Sequence, residues 1–372
     1  MHDDLFAYLR WRGDLPFTDF PPNEVDALIF SVLSYIRFDG VVSELPQHWK
    51  LLEQAAQELL ALPDAQERPR VKQDLELLAL AAQCPRFRRI GMAYYQDIFI
   101  PEEETQFAAV TFFLPDCTAF LAFRGTDNTL VGWKEDFNMS FQDTIPAQRL
   151  ALEYLNRFAD GSQTPLRLSG HSKGGNLAVF AAAQCGQALQ SRILEVYNQD
   201  GPGFTGAMLG SEGYASIVPK IRTFIPQSSV IGLLLEHEEP HIIIRSREVG
   251  VMQHDPYSWD VERDHFVLME ETTQDSRYID QTLKAWLSGM DKAERNALVD
   301  TVFELLTSGG ARRAHELIQP KTIHTVLKKL QNDTQARNLI AQEITNLVSA
   351  AEKPEWLETI QHHLPGSQKD EP

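Results

Sequence analysis

The chain has 372 residues, with 34 Lys and Arg against 52 Asp and Glu, a formal charge of −18. Its 43% hydrophobic and 23% charged content is that of globular proteins and excludes wholesale disorder. The acidic excess argues against nucleic-acid binding, which needs clustered Lys and Arg, and against docking on anionic lipid by bulk charge.

Residues 1–85 read as a helical segment packing on a core. Asn23 follows two prolines and suits an N-cap, with Asp26 as capping-box partner. Val25, Leu28, Ile29, Val32 and Leu33 then share one helical face. Further helices are predicted around 46–61 and 69–83. Residues 86–288 have a different character. Two apolar runs, 106–114 and 118–123, flank Pro115-Asp116-Cys117 and predict a hairpin. A helix follows at 148–159, a short strand at 165–168, and a helix rich in small residues at 176–189. Strands are predicted at 193–197, 221–225 and 241–245. Strands alternating with helices imply a three-layer α/β sandwich around a mainly parallel sheet. Residues 289–364 read as a C-terminal helical region, its first helix capped by Asp291 and Glu294 and ended by Gly309-Gly310. Residues 365–372 read as a flexible tail.

Cys84, Cys117 and Cys185 are few, odd in number and widely spaced, which encodes neither a disulfide framework nor a metal knuckle. The N-terminus lacks a basic-then-apolar leader, and no apolar run approaches the roughly 18–20 residues of a membrane span. The expectation is a cytoplasmic protein.

Gly170-His171-Ser172-Lys173-Gly174 matches G-x-S-x-G, with a strand directly before it and a helix directly after. That setting makes a nucleophile elbow, with Gly170 and Gly174 leaving room for a sharp turn. An ordinary glycine-rich strand–helix loop is the alternative. A serine hydroxyl needs a base. His254, just beyond the last predicted strand, is the first candidate and His265 the second. No carboxylate follows the strand 221–225, where Pro226-Gln227-Ser228-Ser229 stands, and Glu236 and Glu238 come late. Asp200 closes the preceding strand and is favoured as the acid; opening a turn before Gly201-Pro202-Gly203 is its other reading. Asp255 adjoins His254 in sequence, which suits a side-chain contact poorly. The oxyanion donors are expected from the backbone of Lys173 and from Thr126, by N–H and hydroxyl. The Lys173 side chain is expected in solvent over the helix N-terminus, or else facing an anionic substrate.

Phe123-Arg124-Gly125-Thr126 with Trp133 and Asp136 resembles a block of class 3 (fungal-type) lipases. The chain more closely resembles the Mbeg1-like family of bacterial proteins. The likeness rests on Gly-His-Ser-Lys-Gly-Gly-Asn at 170–176, Asp-Gly-Pro-Gly-Phe at 200–204, Gln-His-Asp-Pro-Tyr-Ser-Trp at 253–259, and residues 5–14 and 23–40. It covers about residues 1–285. The resemblance implies an α/β-hydrolase fold related to class 3 lipases, with Ser172 as nucleophile, His254 as base, and Thr126 and Lys173 as oxyanion donors. It implies no settled substrate. Class 3 lipases carry their aspartate where this chain has Ser228 and Ser229. The acid has therefore moved to Asp200, or the site works as a dyad, or the chain is not a competent lipase.

The expected function is a serine hydrolase of lipase/esterase type, cleaving a small acyl ester or lipid-like substrate without metal or organic cofactor. Two alternatives share the residues: a binding or regulatory protein on the same scaffold, and a thioesterase or acyltransferase. The helical additions cap the site or form a homo-oligomer interface.

Overall fold

The computed structural model describes residues 3–352. The tail expected at 365–372, and the end of the region 289–364, lie outside the described residues.

Eight strands form one sheet in chain order: β1 (Lys50–Leu51), β2 (Gly91–Ile100), β3 (Thr105–Phe113), β4 (Ala119–Phe123), β5 (Leu166–His171), β6 (Ile193–Gln199), β7 (Ile221–Pro226) and β8 (His241–Ile244). The first four pair antiparallel; β4 to β8 pair parallel. The predicted hairpin at 115–117 joins β3 and β4, with Cys117 at φ 63° in its turn.

Alternation decides the layers. In β4, Phe120 and Ala122 face one side, and Leu121 and Phe123 the other; all are buried. A sheet apolar on both faces must be covered on both. On one face lie helices α1 (Leu5–Arg12), α2 (Glu24–Leu33), α3 (Leu52–Leu60) and α4 (Lys72–Ala81). Helix α2 is buried on all sides after its first residue, as a central helix must be. Its N-terminus carries the predicted capping box: Asn23 accepts from the Val25 and Asp26 N–H groups, and Asp26 accepts from the Asn23 N–H. The Phe30 ring lies tilted against the Phe112 and Phe120 rings, centroids 4.7 Å apart in each case. The segment 1–85 thus supplies one of the three layers.

The opposite face is covered by α6 (Pro146–Asp160) and α7 (Lys173–Gln184), which connect β4 to β5 and β5 to β6. Between β4 and α6 runs α5 (Leu130–Asn138). The C-terminal helix 292–307 packs on α5, Phe303 against Phe137 at 5.9 Å, and the Leu130 N–H donates to the Arg312 carbonyl. Among the elements not foreseen are β2, α5 and the helix Gln274–Ser288. The fold is that of an α/β-hydrolase: a central sheet between helical layers, with a serine on the β5–α7 turn. Among the described residues, no helix is long and apolar enough to cross a membrane.

Candidate active site

The parallel strands end along one edge of the sheet, where open α/β sheets gather their chemistry. Ser172 sits there between β5 and α7, at φ 61° and ψ −136°. A positive φ is costly for a serine and persists where the surroundings impose it. The flanking glycines make the turn possible. A Cβ at Gly170 would stand 2.0 Å from the Gly174 carbonyl carbon, and one at Gly174 would stand 2.2 Å from the Phe123 oxygen. Helix α7 begins directly after Ser172, three residues earlier than predicted, so the helix N-terminus points at the serine.

Asp200 follows β6, also at positive φ (55°). Its backbone is fixed by its own N–H to the Phe224 carbonyl, and by Asn198, whose side-chain oxygen accepts the Gly201 N–H. Asn176 ties the same turn to α7 by donating to the Pro202 and Gly203 carbonyls. The carboxylate is buried. Its Oδ2 lies 2.7 Å from His254 Nδ1, and its Oδ1 accepts the Ser229 hydroxyl at 2.5 Å. Asp200 and His254 are therefore brought together across 54 residues of sequence. Ser229, at the position where the lipase resemblance places an acid, instead holds Asp200. Gly232 leaves room for this: a Cβ there would stand 2.2 Å from Asp200 Oδ1.

His254 ends a short 3₁₀ turn, 250–254, and its side chain is about one-quarter exposed (24%). The loop around it is anchored on both sides. The Gln253 side chain accepts from the Ser228 N–H and donates to the Glu248 carbonyl, and the Trp259 indole donates to the Gln253 carbonyl. The His254 ring lies against that of His171, tilted by 34° with centroids 4.5 Å apart. Among the described residues, no hydrogen bond joins Ser172 Oγ to His254. His265 lies elsewhere, exposed in a small two-stranded ribbon, and Asp255 turns away to Arg70.

The loop after β4 reaches the elbow. A Cβ on Gly125 would stand 2.4 Å from the His171 oxygen and 3.1 Å from Ser172 Cβ, so Gly125 brings this backbone against the nucleophile. Next to it, the Thr126 hydroxyl donates to Asp136 Oδ2 at 2.5 Å. That hydroxyl is engaged, which corrects the expectation that it is free to serve as a donor.

The Lys173 side chain corrects a second expectation. It is buried, not in solvent or facing a substrate. Its ammonium donates to Glu135 Oε2 at 2.7 Å and to the backbone and side-chain oxygens of Gln106 at 2.9 and 3.0 Å. Glu135 also accepts the Gln106 and Ala147 N–H groups, so the buried pair is fully bonded. This ties the elbow to α5 and β3. Asp136, next along α5, has one unbonded oxygen 4.0 Å from Lys173 Nζ. Desolvation raises its pKa to about 6, against the lowering influence of Lys173 and of the Thr126 hydrogen bond.

The sequence profile of the Mbeg1-like family matches residues 81–304, well over half the chain. The chain belongs to the Mbeg1-like family. That match spans Thr126, Ser172, Lys173, Asp200 and His254, and leaves out most of the α1–α4 layer. Among curated proteins, none matches the chain. A solved structure, the crystal structure of M37 lipase, is similar at 13% identity and a TM-score of 0.38, over 58% of this chain and 70% of that one. At that distance the likeness has no bearing on function. Sequence reasoning on this Mbeg1-like chain missed Ser229, Glu135 and Tyr35, whose hydroxyl lies 2.9 Å from His171 Nδ1. Only their positions in space connect them to the site, and no spacing rule joins residues 29 to 136 positions apart.

Proposed function

We propose that the chain is a serine hydrolase that cleaves an acyl ester, with Ser172 as nucleophile, His254 as base and Asp200 as orienting acid. The observation that carries this reading is the 2.7 Å contact between Asp200 Oδ2 and His254 Nδ1, on a loop whose histidine lies against the residue preceding a strained serine. A carboxylate on Nδ1 keeps the proton there and leaves Nε2 as the basic nitrogen. Nε2 takes the Ser172 proton as Oγ attacks the acyl carbon, and returns it to the leaving alcohol. The acyl-enzyme then releases its acid to water by the same route. Asp200 orients the ring and stabilises the imidazolium. The Lys173 and Thr126 N–H groups receive the developing oxyanion, with the dipole of α7 adding positive potential.

Ser172 Oγ has no hydrogen bond to His254 at rest, a looseness common before substrate binds. The reading is tested with a panel of acyl esters of varied chain length and with Ser172→Ala and Asp200→Asn. Turnover of at least one ester, lost in Ser172→Ala and lowered roughly 10³-fold or more in Asp200→Asn, is expected. Turnover that survives in Ser172→Ala places the chemistry elsewhere, and no turnover of any ester favours a binding protein on this scaffold.

A further inference from the structure

We propose that Tyr35 and His171 are positioning residues that hold the backbone of the His254 loop, so that the N-terminal layer is a working part of the site. The kinetic consequence rests on the serine-hydrolase reading; the mechanical claim does not.

His171 precedes Ser172, and its ring is buried between two partners. Nε2 lies 2.7 Å from the His254 carbonyl oxygen and Nδ1 lies 2.9 Å from the Tyr35 hydroxyl. A carbonyl only accepts, so Nε2 carries the hydrogen. Nδ1 is then the acceptor, and Tyr35 must donate to it. Tyr35 therefore fixes the tautomer of His171 that grips His254. Burial, with His254 and Arg70 nearby, pushes the His171 pKa far below the usual histidine range, which keeps the ring neutral and this polarity intact. The nucleophile and its candidate base are thus linked through adjacent backbone, independently of substrate.

Two further contacts from the N-terminal layer hold the same loop, at Asp255 and at Tyr257. Arg70 pairs with Asp255 at 3.7 Å and lies over the Tyr35 ring at 4.6 Å. Asp74 accepts the Tyr257 hydroxyl at 2.9 Å. Residues 254, 255 and 257 are each held by, or through, residues of 35–74, all of which lie outside the family match. The Tyr35 hydroxyl reaches His171 because residue 125 is glycine: a Cβ there would stand 2.2 Å from it. A fixture of this kind matters because a small displacement of a base from its nucleophile costs rate steeply.

The test compares the full-length chain with Tyr35→Phe, His171→Phe and His171→Gln. Two readouts are used: hydrogen exchange of peptides covering 250–259, and steady-state turnover of a p-nitrophenyl acyl ester. Tyr35→Phe and His171→Phe are expected to raise exchange across 250–259 and to lower kcat by about tenfold or more, with KM changed less than about twofold. His171→Gln, whose amide N–H can meet the His254 carbonyl, is expected to recover most of both. Should His171→Phe fail to fold, Tyr35→Phe, which removes one hydroxyl, still decides. Exchange over 250–259 unchanged from wild type in Tyr35→Phe overturns the proposal, whether or not the chain hydrolyses esters. Faster exchange over 250–259 in Tyr35→Phe, with no ester turned over by the wild type, supports the fixture and counts against the hydrolase reading alone.

Discussion

Asp136 illustrates how a residue beside the site is set by its neighbours. Its carboxyl is raised to about 6 from an ordinary 3.8, and it accepts the Thr126 hydroxyl. Between these values the folded chain retains a proton that the unfolded chain has released. Stability attributable to Asp136 is therefore full below about pH 4, falls as pH rises towards 6, and is flat above. Asparagine at 136 keeps an acceptor for Thr126 without titrating. We expect the stability of wild type relative to Asp136→Asn to drop between pH 4 and 6.5 in urea unfolding; parallel curves would show that the group is not perturbed. Charged residues are also where the sequence was hardest to read. Lys173 after the serine was expected in solvent because Lys is rarely buried. Its partner Glu135 is 38 residues away on a helix that apolar periodicity did not reveal, since that helix turns a buried carboxylate inward.

The elements with clear periodicity were legible, and those whose pattern is interrupted were not. Strands β3 to β8 fall within a few residues of expectation, as do α2, α6 and the helix 292–307 with its Asp291–Glu294 cap. Strand β2 was missed because a bulge between Ala93 and Gln96, with Tyr94 at φ 54°, breaks its two-residue alternation. The G-x-S-x-G turn was legible because glycine, serine and the adjoining strand and helix all point the same way. The role of α2 was only half visible: its apolar face was evident, but the sheet it meets was not. Phe30 contacts the rings of Phe17, Phe87, Phe112 and Phe120. Phe30→Ala is expected to cost about 3–5 kcal/mol in urea unfolding, as truncation of a buried aromatic does. A loss below about 1 kcal/mol would mean that α2 covers the sheet only loosely.

The N-terminal layer and the sheet share one continuous core, from Leu5 on α1 to Phe266 beyond β8. The residues that hold the candidate base are drawn from both. A serine on a strained elbow and a histidine and an aspartate in contact are the parts that the proposed acyl-transfer reading uses. The most direct measurement is labelling of the full chain with a fluorophosphonate probe, mapped by mass spectrometry and compared with Ser172→Ala. The account predicts one adduct, on Ser172, that disappears in the variant and forms much more slowly in Asp200→Asn. Equal labelling of wild type and Ser172→Ala, or none in either, would contradict it.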